Sequence, residues 1–255
     1  MKIITCCKIV PNEEEIQVQT SRELSFDAAS WKISQYDLNA LESAKQLVAA
    51  AGGTMTALSV GSSAALGASK IQKDVLSRGP DELKLVIDDA HTFGDSLQTA
   101  KAIAAAVKAA GEYDLVLCGM GSSDLYFQET GVQIGTLLGL PTVNNVTGIT
   151  VKSEGVLEVE RTLEDEVEIL EIPLPAVLSV SSEINTPAVP AMRDIMRAGK
   201  KPVTKLDIAD AELEPSLKTL SQLAPEQQER RQQLVEGDGE EAVAALVQFL
   251  KREGF

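Results

Sequence analysis

Residues Gly119, Met120, Gly121, Ser122, Ser123 and Asp124 follow an apolar, strand-like run and precede a helical pattern that opens at Gln128, Glu129 and Thr130. Small residues in such a turn let backbone N–H groups approach an anion, the serines add hydroxyl donors, and a helix start contributes a favourable dipole. The chemistry on offer is phosphate binding. The same turn also serves as plain close packing in any doubly wound sheet, and its pattern matches neither the dinucleotide fingerprint nor the P-loop. Gly131 and Gly135, further along, suit close approach of a helix to a sheet.

A second candidate is KISQYDLNALE, residues 32–42. In an open α/β sheet, ligands lie beyond the carboxyl ends of the strands, where the strand order reverses. Ser34, Gln35, Tyr36 and Asp37 can occupy that position opposite the glycine-rich turn. Read without a ligand, they are a capping turn in which Asp37 caps the helix and Tyr36 packs.

Elements that would position these residues alternate along the first 145 residues. Apolar runs at 2–7, 55–60, 83–87 and 114–118 alternate with helical patterns, the mark of βαβ units and a mainly parallel sheet. The helix after Asp37 carries Leu38, Leu41, Ala44, Leu47 and Val48 on one face, and Gly52 and Gly53 stop it. Another helix starts at Ser96 and ends at Gly111. Beyond Pro141, runs at 147–153, 156–161, 167–172 and 176–180 leave no room for helices and predict antiparallel ribbons. A short helix is expected around 191–197. From about residue 205 the chain reads as a polar arm, ending in a helix over 240–251 whose stripe of Val243, Leu246, Val247 and Leu250 needs something to pack on. The expected fold is therefore α/β, a doubly wound mainly parallel sheet with an antiparallel extension, the main domain spanning 1–204 and the arm 205–255.

Composition narrows the function. With 255 residues and 44% hydrophobic content the chain can fill a substantial core. A net charge of −15 disfavours nucleic acid and anionic lipid as partners. No run is apolar enough to span a bilayer and no leader pattern is present, so a cytoplasmic location without membrane insertion is expected. Three cysteines, Cys6, Cys7 and Cys118, lie in strand-like runs and read as core thiols, with no metal site. The single histidine, His91, sits in a polar turn and reads as a solvated loop residue, and no side chain is expected to act as nucleophile, acid or base.

Five segments, KISQYDLNALE, DVLSRGPDEL, CGMGSSDLYFQETG, VERTLEDEVE and the run from residue 174 to 202, stand in the order and spacing of electron transfer flavoprotein beta subunits. The sequence resembles that family, and in particular its Fix-type members, over residues 1 to about 205, and the ending VEGDGEEAV resembles the same branch. The resemblance implies a Rossmann-like adenine-nucleotide site formed here by Cys7, residues 34–37, Val60 and residues 119–130. It also implies a heterodimer with an alpha subunit, and electron exchange with an acyl-CoA-type dehydrogenase or quinone oxidoreductase, with NADH as a further donor. The site holds AMP in simple members and FAD in electron-bifurcating ones, and FAD is the expectation for this chain. Glu129-Thr130-Gly131 replaces the common Gln-Thr-Gly, with Gln128 one place earlier. Arg161 and Glu164 resemble a pattern of the bifurcating branch, in which an arginine near a flavin would favour its reduced anion. Residues 184–201 align with the family's recognition loop, with Met192 at the docking position. A stand-alone adenine-nucleotide-binding regulatory protein of related fold is the alternative.

Overall fold

The computed structural model describes residues 1–91, 93–208, 211–226 and 234–254. Its thirteen strands are β1 (Lys2–Cys6), β2 (Ile9–Pro11), β3 (Gln17–Val18), β4 (Leu24–Ser25), β5 (Trp31–Ile33), β6 (Thr54–Gly61), β7 (Glu82–Ile87), β8 (Leu115–Gly119), β9 (Thr142–Ser153), β10 (Val156–Thr162), β11 (Val167–Pro173), β12 (Ala176–Val180) and β13 (Val203–Lys205). The α-helices are α1 (Gln35–Ala51), α2 (Ser63–Leu66), α3 (Ser69–Ser77), α4 (Ser96–Ala110), α5 (Thr130–Leu138), α6 (Met192–Ala198) and α7 (Glu240–Glu253).

Nine strands form one sheet in the order β11-β10-β9-β12-β8-β1-β6-β7-β13. All neighbours from β9 to β13 are parallel, and β9, β10 and β11 form the antiparallel extension. Alternation along the central strands decides the two layers. Ile3, Met55, Ala57, Leu115 and Leu117 face α1, α2 and α3, whereas Ile4, Cys6, Leu58, Val116 and Cys118 face α4 and α5. The chain runs outward from β1 through β6 to β7, then returns to place β8 on the other side of β1. That reversal puts the switch point between β1 and β8, at whose carboxyl ends a ligand crevice belongs.

Three expectations about local structure are corrected. Strand β12 is not part of an antiparallel ribbon: it inserts between β8 and β9, parallel to both, with all five residues buried. A strand covered on both faces reads as an unbroken apolar run, as Ala176–Val180 does. Asp37 does not cap α1, which begins two residues earlier at Gln35 after Ser34, so its carboxylate is free for longer-range bonds. His91 is not simply solvated either, since its Nδ1 lies 2.7 Å from an Asp88 carboxylate oxygen. That hydrogen bond holds the Asp88 pKa below its ordinary value.

Residues 203–208 and 211–217 return to this body. β13 adds to the sheet beside β7, and Leu213 is buried with Phe93 and Ala102. One Asp95 oxygen accepts from the amides of Leu97 and Gln98 at the start of α4, and the other from the Ser216 amide and hydroxyl and the Leu217 amide. Beyond this clamp Leu220 is 88% exposed and α7 buries no residue. Asp95→Ala strands a helix cap and two further part-buried amides, so it is expected to lower stability by about 1–3 kcal/mol. A lower urea midpoint together with new amide exchange at Ser216 and Leu217 would show it.

Candidate functional site

At the carboxyl ends of β1, β6 and β8, between the starts of α4 and α5, lies a cleft of about 800 Å³, part of it open to solvent. Its inner wall is apolar, made by Leu58, Val60, Ile103 and Ile134 together with Cys6 and Cys118, and its rim is the loop after β8. The thiols are inert parts of that wall. Burial pushes Cys118 up to about 12 and also raises Cys6 and Cys7 strongly.

Two glycines give the loop its shape. A Cβ on Gly119 would lie 2.7 Å from Asp37 Oδ1 and from Tyr36 atoms, and one on Gly121 would lie 2.6 Å from the Tyr126 ring. Tyr126 and Gln128 both hold positive φ, at 51° and 61°, conformations that side-chain-bearing residues adopt at a cost and that cluster at functional sites. Behind the loop, Gly131 and Gly135 let α5 sit directly on the sheet. A Cβ on Gly131 would meet Cys118 Sγ at 2.9 Å, and one on Gly135 would meet Thr142 Oγ1 at 1.8 Å.

Residues 34–37 brace this loop from behind rather than line the cleft as a group. Ser34 Oγ accepts from the Ser123 amide at 3.3 Å, Tyr36 stacks on Tyr126 with centroids 5.0 Å apart, and Gln35 is exposed. Asp37 alone of the four reaches the cleft wall. It is 6% exposed and ties two strand ends together, accepting from the Lys8 amide at 2.7 Å and the Gly119 amide at 3.0 Å. Burial pushes its pKa up to about 7, against the pull of those amides and of the Lys8 charge.

The other expected residues divide between the cleft and its surroundings. Cys7, Val60, Gly119, Met120, Gly121, Ser122, Gln128, Glu129 and Thr130 line it. Ser123 and Asp124 form the outer turn, with Asp124 in an ion pair with Lys8. Glu129 accepts from Ser96 Oγ at 2.8 Å, joining the starts of α4 and α5 across the cleft. Arg161 stands elsewhere, on β10, where its guanidinium pairs with Glu168 at 2.7 Å and donates to Asn144 Oδ1. A second, shallower cleft includes Glu164, Thr162, Met120 and Tyr126 but not Arg161. Met192 is 72% exposed on α6, near the exposed Ile195 and Met196.

Sequence reasoning overlooked Lys8, Phe93, Ser96, Thr99 and Phe127, all of which line the cleft. A signal for the third strand's contribution was present: Asp95 and Ser96 mark a helix start after β7, at the same carboxyl edge. The rule that ligands gather there applies to that connection as much as to the first.

A phosphorylated nucleotide fits these residues. Among the described residues the amides of Gly121 and Ser122 donate to no protein acceptor, the hydroxyl of Ser123 is buried without a partner, and an apolar slot lies beside them for a base. The sequence matches the electron transfer flavoprotein domain over residues 24–211, well over half its length. The chain belongs to the electron transfer flavoprotein family. The match fits a beta-type subunit, and its span takes in α1, the loop after β8, the antiparallel extension and β13. No described helix is long and apolar enough to cross a membrane.

Proposed function

We propose that this chain is the beta subunit of a heterodimeric electron transfer flavoprotein and that its cleft holds the adenosine phosphate portion of FAD, with AMP as the alternative occupant. The observation that carries the reading is the cleft at the switch point, rimmed by a loop that has free amides, in a chain of this family. Bound flavin would supply the one- and two-electron chemistry. The chain's own contribution is position. The loop over 119–130 donates backbone N–H groups to phosphate, the wall of Leu58, Val60, Ile103 and Ile134 excludes water from the base, and Asp37 holds the two strand ends at fixed separation.

No side chain is assigned a proton-transfer role. Arg161, tied to Glu168, lends no support to a charge beside a flavin ring, so the preference for FAD rests on the resemblance of the whole chain to Fix-type members. The exposed Met192, Ile195 and Met196 suit the docking of a dehydrogenase or quinone oxidoreductase, and the unpacked stripe of α7 suits an alpha subunit.

The test is co-expression with an electron transfer flavoprotein alpha subunit, followed by extraction and quantitation of bound nucleotide. Two FAD per heterodimer with NADH-dependent reduction is the expected result. One FAD and one AMP would return the protein to the simple electron carriers, and a monomer holding ATP without flavin would point to a regulatory protein instead.

A further inference from the structure

Among the described residues, Lys8 is the only basic residue that lines the cleft. The acids near it are more numerous: Asp37 and Glu129 on the walls, Asp124 on the outer turn, within a chain of net charge −15. A phosphate entering this cleft therefore meets a single side-chain cation beside several acids. The backbone of Lys8 is pinned from two directions. Its amide donates to Asp37 at 2.7 Å and its carbonyl accepts from the Ser34 amide at 2.9 Å. Only the side chain is left to move.

That side chain is engaged with a group that a phosphate could replace. Lys8 Nζ lies 2.7 Å from one Asp124 oxygen and 2.9 Å from the other. The two side chains are 31% and 25% exposed, so the pair is only partly screened. Asp124 also accepts from the Leu125 amide, which holds its carboxylate on the loop beside the free amides of Gly121 and Ser122. A carboxylate and a phosphate oxygen offer an ammonium the same charge-assisted hydrogen bond.

We propose that Lys8 is the charge that selects phosphorylated nucleotides for this cleft, and that Asp124 competes with the ligand phosphate for it. The inference rests on the nucleotide reading above and adds to it which residue discriminates phosphorylated from unphosphorylated ligand. In the ligand-free chain Asp124 occupies the ammonium and clasps the loop to the end of β1. When phosphate arrives, Lys8 turns from Asp124 to the phosphate while the loop amides complete the cradle. Adenosine, which lacks the anion, uses the apolar slot and leaves the pair closed.

The experiment compares AMP with adenosine by calorimetric titration of the full chain in its heterodimer, stripped of nucleotide. Lys8→Met, which keeps the stem, is expected to weaken AMP roughly 10- to 100-fold and adenosine by less than about threefold. Lys8→Arg should recover much of the loss. Asp124→Asn, which retains an acceptor for the Leu125 amide, should bind AMP several-fold more tightly at low salt and adenosine unchanged. Equal losses for the two ligands in Lys8→Met would make the pair a structural clasp and overturn the proposal. So would an Asp124→Asn protein that binds AMP no more tightly than its parent. A parent heterodimer that binds neither AMP nor FAD would overturn the functional reading itself, which separates the two failures.

Discussion

Gly121→Leu is expected to empty the cleft while leaving the sheet folded. Already at Cβ the substitution collides with the Tyr126 ring, at 2.6 and 2.8 Å from two ring carbons. Tyr126 has little freedom to retreat, because it is stacked on Tyr36 and its own backbone is held at positive φ. The loop must therefore move, and the amides of Gly121 and Ser122 leave the positions from which they could reach a phosphate. The remaining atoms of leucine would extend into space that a ligand needs. A loss of at least about 100-fold in nucleotide affinity follows, equivalent to about 2.7 kcal/mol. Global stability should change by less than about 1 kcal/mol, since Gly121 lies on a partly exposed rim outside the buried clusters. Nucleotide content after purification and the thermal midpoint are the two readings. Full occupancy in the variant would remove the loop from the site.

What the sequence revealed, and what it concealed, follows from the range of the interactions involved. The strands β1, β6, β7 and β8 and the helices α1 and α4 were legible because periodicity and glycine stops are local. Gly131 and Gly135 were read as packing glycines for the same reason, and their hypothetical Cβ contacts agree. Strand β12 begins three residues after β11 ends, which looks like a hairpin, yet it pairs with β8, some 60 residues back, and with β9. Only its unbroken apolar run hinted at burial on both faces. Asp37 looked like a cap because acids near helix starts usually are caps. Its actual partners are the amides of Lys8 and Gly119, 29 and 82 residues away. The clamp from Asp95 to Ser216 spans 121 residues and was equally invisible, which is why the arm read as leaving the sheet at about 205.

Asp37→Asn should both destabilise the protein and alter how its stability depends on pH. Asparagine keeps one oxygen for one of the two amides and turns an N–H toward the other. A buried donor is then left facing a donor, at a cost of about 1–3 kcal/mol. The pH effect has a definite sign. Burial raises the folded-state pKa of Asp37 to about 7, far above the ordinary carboxylate value of about 4. Between those two values the folded chain holds a proton that the unfolded chain has released, so stability falls as pH rises through that window. The contribution is fully present below about pH 4 and is lost above about pH 7, a change on the order of 3–5 kcal/mol. Asparagine does not titrate. Parent and variant should accordingly differ most at the acid end of a series from about pH 5.5 to about pH 8, and the gap should narrow as pH rises. Urea unfolding of the nucleotide-free heterodimer at each pH measures that gap directly. A gap that stays constant would mean that the two amides and the Lys8 charge outweigh burial and keep the carboxylate ionised throughout. In that case Asp37 would fix the separation of β1 and β8 as a permanent anion.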